Sequence, residues 1–271
     1  MDGDAIRLAF VIGLLQGIFE WLPISSEGNI SLYLAVVEGM PASAAVRYSL
    51  LVHVGTAAAA TVYYRGTIGD LPESPPGWSR AAAFDEHAET SFLVAASLVS
   101  AGVGVVAYLL LEAVISTISG AAFVGVIGAL LVITGVVQRV ADGALGSRIR
   151  PSMTDAVLVG SLQGLAILPG VSRSGTTISA LLLRGYDATT AFRLSFLLSI
   201  PAALGAGGLA ALDTGPTGVG PAAAAVALVT SAVIGYATIG GLLQIVRRIA
   251  FWAVCIALGT LAMMGGLVAV I

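Results

Sequence analysis

The sequence predicts an all-α integral membrane protein: six transmembrane helices plus two re-entrant helical hairpins in an inverted-topology repeat. Three observations carry this expectation. Of 271 residues, 58% are hydrophobic and only 10% charged, against roughly a quarter charged in ordinary soluble domains. Six apolar stretches reach the length of about 20 residues that crosses a bilayer as a helix. Two further apolar regions are broken near the middle by Pro, Gly and Ser, and they resemble each other. With 34 glycines and 7% aromatics, the chain suits closely packed helices, whereas a barrel needs short alternating segments.

The elements follow in order along a single polytopic domain, 1–271. The first broken region, 5–37, is interrupted from Pro23 to Gly28. Its second arm, 30–37, is too short to carry the chain back across a bilayer, so the region reads as a hairpin. Spans follow at 45–64, 90–111 and 119–138. The second broken region, 153–183, is interrupted from Pro169 to Gly175, and spans at 190–212, 221–243 and 250–271 complete the chain. Repeat one covers about 5–138 and repeat two about 153–271.

If both hairpins enter and leave on one face, the loops 65–89, 139–152, 184–190 and 244–249 share a side. These hold Arg65, Arg80, Arg139, Arg148, Arg150, Arg184, Arg247 and Arg248, with Arg193 close by, while 112–118 and 213–220 hold no arginine. The positive-inside rule makes the arginine-rich side cytoplasmic in a cell-membrane protein. Both termini then lie outside, and the broken tips meet near mid-membrane. Asp2 and Asp4 precede the first apolar stretch where a signal peptide would carry positive charge, so no cleavable signal is expected.

Composition also excludes functions. The single cysteine, Cys255, leaves no ligand set for a disulfide framework, a thiolate zinc site or an iron-sulfur centre. All twelve basic residues are arginine and the formal charge is −3, so there is no basic surface for nucleic acid.

The internal repeat locates the chemistry. Gly13-Leu14-Leu15-Gln16-Gly17 matches Gly160-Ser161-Leu162-Gln163-Gly164, and Leu22-Pro23-Ile24-Ser25-Ser26-Glu27-Gly28 matches Leu168-Pro169-Gly170-Val171-Ser172-Arg173-Ser174-Gly175 with a one-residue shift. Inverted repeats place a site at their interface, built by helices that stop partway through the membrane. The Gly13/Gly17 and Gly160/Gly164 pairs have the small-xxx-small spacing of close helix packing.

Ionisable residues at membrane depth cost about 2.5–3.5 kcal/mol on insertion scales and mark functional candidates. Glu20 and Glu27 flank the first break, and Arg173 sits inside the second. Ser172-Arg173-Ser174-Gly175-Thr176-Thr177 supplies hydroxyls, backbone N–H groups and a guanidinium, an anion cradle suited to phosphate. Gln16 and Glu20, four apart, share a helix face toward Ser25 and Ser26. Such a pair could hold Mg²⁺ or Ca²⁺, since Mg²⁺ prefers one or two carboxylates plus phosphate oxygens, or the carboxylate could deprotonate a nucleophile. Two plainer alternatives stay open: a structural ion pair between Glu20 and Arg173, and helix capping by the individual serines. His53, in mid-span, could face the site as a proton carrier or pack through a hydrogen bond; without a second histidine or carboxylate at ligand spacing, packing is the favoured reading, and His87 reads as solvated.

The chain resembles the undecaprenyl-diphosphate phosphatase family, the bacitracin-resistance type of integral membrane phosphatase. The resemblance rests on Gln16-Gly17-Ile18-Phe19-Glu20-Trp21-Leu22-Pro23-Ile24-Ser25-Ser26-Glu27-Gly28, on Leu168-Pro169-Gly170-Val171-Ser172-Arg173-Ser174-Gly175-Thr176-Thr177, and on Phe192-Arg193-Leu194-Ser195-Phe196-Leu197-Leu198-Ser199-Ile200-Pro201. It implies hydrolysis of a long-chain polyprenyl diphosphate, undecaprenyl or dolichyl in type, to the monophosphate. The reaction uses a divalent cation and recycles a lipid carrier for cell-envelope or glycan assembly. On this resemblance Glu20, Ser26 and Arg173 are catalytic. Ser25, Glu27, Gly28, Asn29, Ser172, Ser174, Gly175 and Thr176 bind substrate, and Glu20 with Gln16 holds the metal.

Three positions depart from the family pattern. Gln16 stands where many members have Glu, Asn29 where many have His, and Glu27 where a small hydroxyl residue is common. The expectation is a divergent member of archaeal type with a different isoprenoid chain, a modified proton path, or lost hydrolysis. The rival reading is a lipid flippase or secondary transporter with a mid-membrane anion site. Small residues on several helices also permit a homodimer.

Overall fold

The computed structural model describes residues 3–70, 84, 87–144, 146–212, 219–246 and 248–268, and these form an all-helical bundle with no strands among them. The helices are α1 (Gly3–Phe19), α2 (Ser26–Leu32, extended by a π-helical turn Tyr33–Val37), α3 (Ala42–Leu51), α4 (His53–Tyr63), α5 (Arg65–Gly69), α6 (Ala88–Ile115), α7 (Gly120–Ala141), α8 (Met153–Leu165), α9 (Arg173–Leu183), α10 (Ala188–Leu212), α11 (Pro221–Val246) and α12 (Phe251–Val268).

Among the described residues, six segments are long and apolar enough to cross a membrane: Ala42–Tyr63, Ala88–Ile115, Gly120–Ala141, Ala188–Leu212, Pro221–Val246 and Phe251–Val268. They overlie the six spans expected from the sequence. Their outer faces leave Leu98, Val106, Leu109, Leu110, Ile133, Val229, Val233 and Leu261 more than half exposed, a surface stable against acyl chains and unstable in water. The protein is a multi-pass membrane protein.

The span expected as one helix over 45–64 is instead two, α3 and α4, meeting at Val52. A broken helix in lipid needs its freed backbone groups satisfied. Ser231 Oγ from α11 donates to the Val52 carbonyl at 3.1 Å, and the Gly55 amide reaches the same oxygen at 3.2 Å. The break turns the first residue of α4, His53, toward the bundle centre. The connection expected at 65–89 opens with the short helix α5. The rest of it through residue 83, including Arg80, lies outside the described residues, as do 85–86, 213–218 and Arg247.

The two sequence-related broken regions pack alike. α1 lies along α11, and α8 lies along α6. A methyl group on Gly13 would sit 2.6 Å from the Ala227 carbonyl oxygen, and one on Gly160 would sit 2.5 Å from that of Ala96. Both glycine pairs therefore seat their helices backbone to backbone. α8 and α9, with 13 and 11 residues, fall short of the roughly 20 that span a bilayer.

The base of α8 is pinned by Asp155, which is fully buried. It accepts from Arg184 Nε at 2.7 Å, Arg148 Nη2 at 3.0 Å, Tyr186 Oη at 2.7 Å and Ser152 Oγ at 2.6 Å, tying the 146–152 segment and the end of α9 to the α8 N-terminus. Burial alone would push its carboxyl pKa up. The hydrogen bonds from Ser152, Tyr186 and Arg184 outweigh burial and hold it well below the usual carboxylate range.

Candidate active site

The turns after α1 and α8 meet at the bundle centre. The first is folded by an unusual residue: Ser25, the only described non-glycine residue with positive φ, at 61°. Its hydroxyl accepts from the Gly28 amide at 3.2 Å and from the Gly170 amide at 3.1 Å, so one side chain caps α2 and ties the two turns together. Gly28 permits that approach, since a methyl group there would lie 2.6 Å from Gly170 N. Asn29 spends its amide on the Ile24 and Ser25 carbonyls, at 2.7 and 2.9 Å, and so shapes the turn. The second turn is held by Ser172, whose Oγ accepts from the Gly175 amide at 3.1 Å, and by Thr134 Oγ1, which donates to the Gly170 carbonyl at 3.1 Å.

Across this junction Arg173 Nη2 donates to Glu20 Oε1 at 2.6 Å, with side-chain exposures of 14% and 5%. The expected guanidinium–carboxylate pairing is therefore present, between residues 153 positions apart. The other carboxylate oxygen, Glu20 Oε2, accepts from Ser26 Oγ at 2.7 Å and from Gln16 Nε2 at 2.9 Å.

His53, for which the sequence favours packing over a proton carrier facing the site, stands in the site. Its Nδ1 lies 2.7 Å from the Ser49 carbonyl, which can only accept, so Nδ1 carries a proton. Nε2 is thereby directed at Glu20 Oε2, 3.3 Å away, and Ser26 Oγ, 3.4 Å away. The Ser26 hydroxyl thus faces two candidate proton acceptors. His53 met the same criterion as Glu20, an ionisable group at membrane depth. Its carboxylate partner, however, lies 33 positions upstream and meets it only through tertiary packing. Gln138, also missed, donates to the Pro23 carbonyl at 2.7 Å and braces the first turn from α7.

Two cavities adjoin the bridge. A small one, about 30 Å³, is lined by Glu20, Ser25, Ser26, Glu27, His53, Ser172, Arg173 and Ser174 among others. Seven of the twelve expected site residues line it, while Gln16, Gly28, Asn29, Gly175 and Thr176 do not. The larger cavity, about 560 Å³, runs between α6, α8 and α10 and shares Glu27, His53, Ala166 and Arg173 with the first. Its lining is mainly apolar, from Leu98, Val105, Ile167, Ala203 and Leu209, with the small Gly205 and Gly208.

Three buried polar atoms around the junction have no hydrogen-bond partner: Gln16 Oε1, Glu27 Oε1 and Arg173 Nη1. A buried polar group left unpaired costs about 1–3 kcal/mol, so Glu27 Oε1 and Arg173 Nη1, whose residues line both cavities, are the atoms expected to meet a ligand. No group of three or more His, Cys, Asp or Glu able to hold a metal occurs among the described residues, so the protein by itself makes no closed cage. Gln16 turns its amide nitrogen toward Glu20, so its oxygen and the Glu20 oxygens do not converge on one point.

Comparison with known proteins gives a consistent match. Residues 9–261 match the family described as bacitracin resistance protein BacA. The chain is 50% identical to a protein named undecaprenyl-diphosphatase from Haloarcula marismortui, over 97% of this chain and 98% of that one. Proteins of the same name from Methanococcoides burtonii and Methanopyrus kandleri are 38% and 36% identical, each over 94% of this chain and over 96% and 94% of the relative.

Proposed function

Because the chain belongs to the bacitracin resistance protein BacA family, we propose that it hydrolyses a long-chain polyprenyl diphosphate to the monophosphate and inorganic phosphate. The observation that carries this is the Glu20–Arg173 bridge, with Ser26 against it, at the head of a 560 Å³ apolar cavity. A polar head and a long tail on one molecule match those two adjoining spaces.

The isoprenoid chain lies between α6, α8 and α10, and the diphosphate reaches the junction. The small cavity has room for about one water, so a phosphoryl group enters by exchange: Arg173 gives up Glu20 and takes phosphate oxygens, with Nη1 already free to donate. That exchange releases Glu20 beside Ser26. Ser26 then orients a water that attacks the terminal phosphorus, or attacks with its own oxygen to give a phosphoserine that water afterwards hydrolyses; the bridging P–O bond breaks, the polyprenyl monophosphate leaves, and Glu20 or His53 takes the nucleophile's proton. Arg173 and the Ser172 and Ser174 hydroxyls offset charge on the transferred group, where positioning and electrostatics supply most of the catalysis.

A divalent cation would find hard carboxylate oxygens beside the phosphate position, from Glu20 and Glu27 in the cavity wall. Glu20, once released from Arg173, and Glu27 are the residues that would hold it, and when bound it would neutralise phosphate charge.

The two broken regions enter the membrane as hairpins from opposite leaflets, in an inverted repeat with both termini outside and the arginine-rich loops cytoplasmic. The sequence match between the regions, and the reciprocal seating of α1 on α11 and α8 on α6, support this topology.

The test is release of inorganic phosphate from a polyprenyl diphosphate by purified protein in detergent, where transport has no meaning, with and without Mg²⁺ or Ca²⁺. Release is expected and Arg173→Ala should abolish it. No release under any cation, or unchanged turnover in the variant, defeats the assignment.

A further inference from the structure

When phosphate enters and Arg173 lets go of Glu20, the two turns lose the ion pair that joins them across the junction. Whatever keeps their spacing during the reaction must then be neutral and must stay in place. One such tie is direct, the Ser25 hydroxyl accepting from the Gly170 amide. The others come from a single stripe of α7, in which Ile127, Leu130, Thr134 and Gln138 follow at helical spacing on one face. A methyl group on Gly170, at φ 104°, would sit 2.6 Å from the Ile127 carbonyl oxygen and 2.8 Å from Leu130 Cβ, so the second turn rests directly on this face. Thr134, 3% exposed, grips the segment that leads into Arg173. Its hydroxyl donates to the Gly170 carbonyl at 3.1 Å and accepts from the Ser172 amide at 3.3 Å. One helical turn further along, Gln138 Nε2 donates to the Pro23 carbonyl of the first turn at 2.7 Å. The same nitrogen lies over the start of α9, where a methyl group on Gly175 would meet it at 2.5 Å.

We propose that Thr134 and Gln138 are positioning residues for the hydrolysis: from one helix they fix the turn bearing Ser26 and the turn bearing Arg173 at the separation the chemical step needs. The proposal rests on the phosphatase reading and deepens it by naming what holds the site once the bridge has opened. Neither side chain lines either cavity, so both keep their backbone partners while the ligand enters and leaves. Neither is charged, so neither competes with phosphate for Arg173. The support behind them is stiff: methyl groups on Gly128 and Gly135 would lie 2.6 and 2.7 Å from the Gly259 and Trp252 carbonyl oxygens, which seats α7 backbone to backbone on α12. Groups carried by packed helices are held more precisely than groups carried by loops. Without ligand, the ion pair duplicates this task, and Cys255 Sγ also donates to the Pro23 carbonyl at 3.1 Å. Loss of the Gln138 donor should therefore show in turnover far more than in stability.

The experiment compares wild type with Gln138→Met, which keeps the side-chain length and removes the donor, and with the pair Thr134→Val and Thr134→Ser. Steady-state phosphate release from a polyprenyl diphosphate and thermal unfolding are measured on the purified full chain in detergent. Gln138→Met should lower kcat by about 10- to 100-fold with KM close to wild type, and should move the thermal midpoint by no more than about 4 °C. Thr134→Val should lose kcat in the same way, and Thr134→Ser, which retains the hydroxyl, should recover most of it. If Gln138→Met does not fold, the contrast between the two Thr134 variants carries the test, and Thr134→Ser as slow as Thr134→Val overturns the proposal. So does a wild-type kcat in Gln138→Met, a loss confined to KM, or a kcat that falls only in step with the thermal midpoint. Phosphate release by the wild-type protein leaves the phosphatase reading standing in each of those cases, whereas no release by wild type defeats that reading and this inference with it.

Discussion

Neutralising the two ends of the Glu20–Arg173 bridge, singly and together, separates its catalytic role from its architectural one. The pair is 2.6 Å long with exposures of 14% and 5%, and breaking a buried pair by removing one partner costs about 3–5 kcal/mol. Glu20→Gln strands a guanidinium whose Nη1 already has no partner, so it should show the full loss, roughly 10 °C in thermal midpoint. Arg173→Met should cost less, because Glu20 keeps the donors Ser26 and Gln16. Replacing a buried pair by uncharged residues is often close to neutral, so the double variant should be more stable than Glu20→Gln alone, with a coupling of about 1–3 kcal/mol. Turnover should behave differently: phosphate release falls by about 10²-fold or more in all three variants, because the phosphate ligand is gone whenever Arg173 is, and a proton acceptor beside Ser26 is gone whenever Glu20 is. The assays are thermal unfolding in detergent and single-turnover phosphate release. A double variant that regains turnover along with stability would make the bridge purely structural. A Glu20→Gln variant with wild-type stability would refute the burial argument itself.

Three further outcomes follow from the same geometry. His53→Gln should lower kcat by about 10²–10⁴-fold with KM changed less, if the ring 3.4 Å from Ser26 Oγ moves a proton; equal losses in kcat/KM and stability would return it to packing. A methyl group added at Gly205, in the larger cavity wall, would meet no neighbouring atom within 4 Å, so Gly205→Leu should raise KM for a long-chain diphosphate and spare geranyl diphosphate, and equal effects on both would move the tail elsewhere. Asp155→Asn should destabilise the protein at pH 7. Because the folded carboxyl is held below its unfolded value of about 3.9, the stabilisation is full above that value and is lost as pH falls through the folded pKa. The difference in thermal midpoint should therefore be constant from pH 7 to 5 and narrow only below about pH 4; a gap that closes near neutrality contradicts this.

The spans and the bridge were legible in the sequence for a simple reason: both follow from the cost of putting polar atoms in lipid. Apolar length fixes the spans, and the rarity of charge at membrane depth singles out Glu20, Glu27 and Arg173. Other features are tertiary and leave no local pattern. The break at Val52 depends on Ser231 from α11 to take its carbonyl; 45–64 contains no Pro, and its one glycine, Gly55, is too common a residue in membrane helices to announce it. His53 faces the site because of that break. Asn29 looked like a depleted catalytic position, yet its amide is consumed by the Ile24 and Ser25 carbonyls, a role that its number in the motif does not reveal.

The two related elements pack alike on their long helices but not in what surrounds them, and the difference selects where a tail can go. Beside α1, helix α4 closes on α11: a methyl group on Gly55 would overlap Ser231 Oγ and the Leu228 carbonyl, and Gly235 lies 3.3 Å from Ala59 by the same measure. Beside α8, helices α6 and α10 diverge around the 560 Å³ cavity, where Gly205 and Gly208 meet nothing within 4 Å. A single bridge with one guanidinium serves one headgroup, and a headgroup with one tail needs one open seam. A second open seam would leave a greasy cleft with no anion cradle at its head, because the first turn contributes Glu20 and Glu27 where the second contributes Arg173. On the function proposed above, the asymmetry in packing therefore has the same origin as the asymmetry in charge between the two turns.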